Sequence, residues 1–137
     1  MNDSIVDSPL CVLLAICNDV IEDKTTNNKT LVNLFNGITA QSVPARHPKM
    51  CLVASITNIR SKVPVRFSVL GPSGSEVLSA NGEANGNNPL EVLDIVVQLL
   101  GFPLPEFGEY RIELTSGDKY LMSRKFTVMQ AQGMPKL

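Results

Sequence analysis

The chain has no tryptophan, two tyrosines and a single histidine, and aromatic residues make up only 5% of it. A single-stranded nucleic-acid groove stacks bases on rings between basic side chains, and sugar sites commonly stack their ligand on an indole or phenol. Both classes have little to draw on here. The 12 cationic residues form no basic block and the net charge is −1, so nothing marks a nucleic-acid partner. Long apolar runs are missing too. Leu10–Cys17 is only eight residues, far short of the ~20 that a membrane helix needs. Although Leu14-Ala15-Ile16-Cys17 imitates a lipoprotein cleavage box, Met1–Ser8 carries two aspartates and no Lys or Arg, and bulky Ile16 precedes the cysteine. An export signal wants the opposite in both places. The run reads instead as a central strand buried on both faces, in a cytoplasmic protein.

Catalytic and cofactor motifs are equally absent. There is no glycine-rich phosphate loop, nucleophile elbow, zincin helix or pair of catalytic carboxylates. Three cysteines, Cys11, Cys17 and Cys51, make an odd number without framework spacing. Cys11 and Cys17 fall in one extended run, roughly 20 Å apart at ~3.3 Å per residue, beyond disulfide reach. Buried free thiols in a reducing compartment are the favoured reading. The alternative is a Cys17–Cys51 bridge between neighbouring strands, which a free-thiol titration decides. His47 with Cys51 could start a metal site or a Cys–His pair, but a closed zinc site wants four ligands that these spacings do not assemble. Asp19, Glu22 and Asp23 offer oxygens to calcium without any calcium-loop spacing, so a solvated acidic turn is favoured. No catalytic, metal or cofactor-binding residue is therefore assigned, and the protein is expected not to be an enzyme.

What the chain does contain is alternation. Tyr110-Arg111-Ile112-Glu113-Leu114 switches between apolar and charged residues at every step, the signature of a strand with one buried face. Thr115–Asp118 is a turn by composition, and Lys119–Val128 runs back as its partner. A three-residue loop at Ser116–Asp118 sets Leu114 opposite Tyr120, Ile112 opposite Met122, Tyr110 opposite Arg124 and Glu109 opposite Lys125. Arg124 is then the one charge on an apolar face. It reads as a stem lying on apolar surface, with its guanidinium near Tyr110 or Glu106, in preference to a ligand-binding cation.

Further strands are expected at Leu10–Cys17, Leu31–Phe35 (continuing over Ile38–Val43 after a glycine kink), Met50–Ile56, Pro64–Leu70 and Glu76–Ala80. In the strand at Pro64–Leu70, Val65, Phe67 and Val69 point inward. Pro44–Pro48 reads as a rigid connector, Gly71–Gly74 as a firm turn, and Asn81–Asn88 as a mobile polar loop. Pro89–Leu100 is ambiguous. Asn88, Pro89 and Glu91 resemble a helix start, but Val92, Ile95, Val96 and Val97 are β-branched and every neighbour is a strand, so strand is preferred. Phe102–Pro105 should break the pattern. The expected organisation is a flexible N-terminus over 1–8, one domain over 9–129 and a tail over 130–137.

Phe107-Gly108-Glu109-Tyr110, after an apolar strand and a proline-rich crossing, resembles the closing part of immunoglobulin-like sandwiches. There, a Gly-x-Tyr starts the penultimate strand and the tyrosine hydroxyl ties back to nearby backbone. The chain departs from antibody domains in lacking Trp, and Ile112 stands where their second core cysteine would be. The whole chain also resembles an uncharacterised family of small bacterial proteins, a domain of unknown function. The resemblance lies in Cys17-Asn18-Asp19 closing an apolar first strand, Leu34-Phe35-Asn36-Gly37-Ile38, a proline-rich link and the Gly-x-Tyr hairpin. It implies a bacterial source and a sandwich fold, and no activity. The expectation is an all-β, immunoglobulin-like, two-sheet antiparallel sandwich of seven or eight strands. Its expected role is a protein-interaction or assembly module that forms a homodimer through edge strands or an apolar sheet face. The alternative is a carbohydrate- or small-ligand-binding sandwich that uses end loops such as Asn81–Asn88.

Overall fold

The computed structural model describes residues 8–132. Among them are nine strands: β1 Leu10–Glu22, β2 Lys29–Leu34, β3 Gly37–Ala40, β4 Ala45–Thr57, β5 Lys62–Leu70, β6 Glu76–Asn85, β7 Leu93–Leu104, β8 Gly108–Ser116 and β9 Lys119–Gln130. They form two sheets, ordered β2-β1-β4-β7 and β3-β9-β8-β5-β6. Alternation sends one side chain in two into the space between the sheets. There Ile16, Leu52, Ile56, Phe67, Val69, Phe102, Tyr110, Ile112, Leu114 and Phe126 are all buried. Each such aliphatic or aromatic side chain contributes about 1.5–3 kcal/mol by leaving water. Val65, Phe67 and Val69 face inward as expected.

This is an immunoglobulin-like sandwich, with one more strand than the upper expectation. The extra strand arises at Asn36-Gly37, where the chain does not kink but changes sheet. The Asn36 carbonyl accepts the Thr127 N–H at 2.9 Å, and β3 then runs parallel to β9. That pair is the exception to the antiparallel pattern, because it is reached by a crossing between sheets and not by a hairpin.

Other local expectations are corrected for reasons of partner supply. The Pro44–Pro48 segment is not a connector but largely the start of β4, paired with β7 from Ala45↔Leu104 onward. Pairing of β4 with β1 goes no further back than Cys51, so Pro48 lies where one side of the strand is open, and a missing donor is tolerated there. Asn81–Asn85 is not a loop. It continues β6 along β5, from Lys62↔Asn85 upward, since an edge strand needs backbone partners on one side and no burial of its side chains. Phe102–Pro105 does not break β7, which runs to Leu104. Gly101, at φ +64°, resets the alternation so that Phe102 and Leu104 turn inward. Pro103 is accommodated because β7 is an edge. The cap at Asn88 is real, yet it organises a turn: its Oδ1 accepts the Leu90 N–H at 3.0 Å and its carbonyl the Glu91 N–H at 2.9 Å. From Leu93 the segment is a strand, as preferred.

The terminal hairpin has a shorter loop than expected. Ser116 pairs with Lys119 around Gly117-Asp118, with Gly117 at φ +60°. A bulge at Leu121 then sets Leu114 against Met122, Ile112 against Arg124 and Tyr110 against Phe126. At the ends, residues 1–7 and 133–137 of the expected flexible segments lie outside the described residues. Ser8 is tied down: its carbonyl accepts from Asn58 Nδ2 and its hydroxyl from Lys119 Nζ, each at 2.7 Å. The Ala131 N–H reaches the Ala40 carbonyl at 2.8 Å.

Candidate functional site

The two outer faces of the sandwich differ in kind. On the β3-β9-β8-β5-β6 sheet the outer face is polar and internally paired. Arg66 meets Glu76 at 2.6 Å, Lys125 meets Glu109 at 3.6 Å and Arg111 meets Glu113 at 3.9 Å. Glu76 also accepts from Ser68 Oγ at 2.6 Å, and these hydrogen bonds, Ser68 first, hold its carboxyl below the usual range.

The outer face of the β2-β1-β4-β7 sheet is apolar at its centre. Ala15, Cys17, Cys51 and Val53 form a second small core there, with Val20 and Leu31 packed on it. Val53 faces Val96 across β4–β7, and Lys49 faces Leu100. Val96 and Leu100 are 37% and 71% exposed. The β1–β2 hairpin arches over one side of this face, bringing Lys29 to 3.1 Å from Glu22 and 4.0 Å from Asp94. Between hairpin and sheet lies an open concavity of about 470 Å³ lined by Leu13, Leu31, Val53, Ser55 and Asp94, with Ser55 Oγ donating to Asp94 at 2.6 Å.

β7 bounds this face and, among the described residues, is also a free edge. Sheet edges are commonly blunted by shortness, charge, proline or bulges. β3 has four residues, β2 begins with Lys29, and β6 carries Glu76 and Glu83. On β7 such devices sit only towards the ends, Asp94 on one side and Gly101-Phe102-Pro103 on the other, leaving Ile95-Val96-Val97-Gln98-Leu99-Leu100 uncharged and unblunted. Beside it, the flank between β6 and β7 holds a cleft of about 80 Å³, where Val65, Phe67, Ala80, Ile95 and Val97 approach the surface. Sequence reading missed this edge, since an apolar run looks alike in a central and a lateral strand.

The residues weighed from sequence are dispersed by the fold. His47 pairs with Phe102 in β4–β7 and its ring lies 6.0 Å from that of Phe35. Burial pushes its pKa down. Asp19 accepts from its neighbour's backbone, Val20 N, at 2.8 Å and pairs with Lys49 at 3.2 Å, and both hold its carboxyl low, the backbone bond foremost. Glu22 pairs with Lys29, while Asp23 Oδ1 accepts the N–H groups of Thr25 and Thr26 at 2.8 and 3.2 Å. Each carboxylate thus has a structural partner. Among the described residues no three His, Cys, Asp or Glu side chains gather as a metal cluster. No helix among them is long and apolar enough to cross a membrane. With Asn81–Asn85 in a strand, the end loop proposed for ligand binding shrinks to Gly86–Asn88 and the residues after it.

Arg124 bridges the two sheets. Its Nη1 donates to the Leu14 carbonyl at 3.2 Å and its Nη2 to Asn36 Oδ1 at 2.7 Å, partners other than Tyr110 and Glu106. It satisfies β1 at a point that β2, whose pairing starts at Cys17, does not reach. Tyr110 makes the expected corner. Its hydroxyl donates to the Glu106 carbonyl at 2.6 Å and accepts the Glu106 N–H at 3.1 Å. Gly108, at φ +132°, passes Pro72 so closely that a Cβ would come within 3.0 Å of it.

Comparison with known proteins finds likenesses in structure and one family in sequence. The C-terminal domain of wzt is similar in structure, with 11% identity, a TM-score of 0.50, and 92% of this chain and 75% of that one covered. An immunoglobulin-like protein from Pseudomonas aeruginosa matches at 14% identity and a TM-score of 0.48, over 88% of this chain and 96% of that one. No functionally curated protein matches the sequence. The model of the family of unknown function DUF6941 matches residues 12–129, nearly the whole chain, and the protein belongs to that family.

Proposed function

We propose that this protein is a non-enzymatic, cytoplasmic interaction module that pairs with a second copy of itself through the edge of β7. The observation that carries the reading is the uncharged stretch Ile95–Leu100 on a free sheet edge, with Val96 and Leu100 exposed beside it. An unblunted apolar edge offers a row of free N–H and C=O groups to another strand. A two-fold axis would set β7 antiparallel to its copy, an isologous contact that uses one patch twice. Because the stretch is neutral, self-pairing brings no like charges together. Val96 and Leu100 would add apolar contact on the outer face. Three free thiols, two of them buried, support a reducing compartment.

Light scattering over a range of concentrations tests the reading, with a dimer expected. Val96→Lys places two ammonium groups near the dyad on an already exposed position. It should weaken dimerisation at least tenfold, about 1.4 kcal/mol, without altering the fold. A strict monomer at every concentration would refute the proposal.

A further inference from the structure

We propose that Cys17 and Cys51 form a peroxide-sensitive dithiol that closes to a reversible disulfide between β1 and β4. The two residues are direct partners in the antiparallel β1–β4 register, and both are free thiols. Directly opposed residues have Cα atoms about 4.5–5.5 Å apart, inside the span of about 4.4–6.8 Å that disulfides use. Both side chains lie in the same apolar cluster with Ala15 and Val53, on one face of the sheet. Cys51 leans towards β1, its Sγ 4.0 Å from the Asn18 carbonyl. Opposed Cβ atoms must still draw together by about 1 Å to reach disulfide spacing, which favours a bond that a dithiol reductant reopens.

The pair sits outside the core between the sheets. Its cover includes Val20 and Leu31 from the β1–β2 hairpin, so local opening of that hairpin admits a small neutral oxidant. Burial foremost raises the pKa of both thiols. On Cys17 the Cys51 charge adds to it and backbone hydrogen bonds from Asp19 and Val32 oppose it, while on Cys51 the Asp19 charge adds and the Lys49 ammonium opposes. The first oxidation is placed at Cys51, whose charge is what pushes the Cys17 thiol further up. Its thiolate attacks one oxygen of hydrogen peroxide, the O–O bond breaks, and Cys51 becomes a sulfenic acid as hydroxide leaves and is protonated to water. The Cys17 sulfur then attacks the Cys51 sulfur, forming S–S and breaking S–O, with a second water released. Two thiols are oxidised by two electrons in all, and the peroxide is reduced to two waters. Cys11 takes no part. It lies in another cluster, with Sγ 3.9 Å from Met122 Sδ.

The test treats the full-length protein with hydrogen peroxide, removes the excess with catalase, and counts thiols in denaturant. Three should fall to one, the mass should drop by two hydrogens, and a peptide map should join Cys17 to Cys51. Dithiothreitol should restore all three. In Cys11→Ser the count should go from two to none, and in Cys51→Ala no intramolecular bond should form. Retention of all three thiols, a bond to Cys11, or oxygen adducts on Cys17 or Cys51 in place of the bond would overturn the proposal.

Discussion

Replacing Tyr110 by Phe removes one hydroxyl from the middle of the sandwich and leaves the ring where it is. The ring is fully buried and stacks on Phe126 with centroids 5.1 Å apart, so packing is conserved and the change reports the corner alone. Two hydrogen bonds to the backbone of Glu106 disappear. Each such bond is worth about 1 kcal/mol net, and a polar group left without a partner costs somewhat more. Glu106 itself is exposed, so water recovers part of the loss, and the expected destabilisation is about 2 kcal/mol. For 137 residues an unfolding entropy of ~2.1 cal/mol/K per residue converts this to a fall in Tm of about 7 °C. Urea denaturation should show a lower midpoint at unchanged slope, since the surface exposed on unfolding is the same. A second signature follows from titration. Burial foremost raises the Tyr110 pKa in the folded protein, with the hydrogen bond to the Glu106 backbone opposing it and the Glu106 carboxylate adding to it. The neutral phenol therefore contributes stability below the unfolded value of about 10, and that contribution is lost as pH climbs above it. The gap between wild type and Tyr110→Phe should narrow there. A destabilisation below about 0.5 kcal/mol would refute the reasoning, because it would mean that the corner hydroxyl does nothing water cannot do.

Arg124→Met keeps most of the stem but loses the bonds to Leu14 and Asn36. Against the desolvation recovered, and with Nε buried and unpaired, a loss of about 1–2 kcal/mol is expected; an unchanged urea midpoint would show that the bridge between the sheets is idle. His47 has its pKa lowered by burial, so its neutral form stabilises the fold above about pH 6.5, and that contribution is lost as pH falls from there through the folded value. Tm measured from about pH 7.5 to 5.5 should therefore decline less in His47→Gln than in the wild type, and parallel curves would refute the assignment.

Period-two alternation over Pro64–Leu70 and Tyr110–Leu114 identified strands and their buried faces, because which face a side chain joins is set by its immediate neighbours in the chain. The Gly-x-Tyr at Gly108–Tyr110 located the corner for the same reason: Tyr110 reaches back only four residues to Glu106. The absence of tryptophan, of a second histidine and of any basic block bounded the function classes without reference to the fold. Tertiary structure alone decided neighbours. That β3 joins β9 in the other sheet, that β7 ends its sheet with β4 as neighbour, and that Cys17 meets Cys51 are pairings between residues far apart in the sequence. Hydrogen bonds of the backbone carry no residue identity, so alternation says which way a strand faces and is silent about who lies beside it. The free edge and the dithiol, on which both proposals rest, belong to that second category.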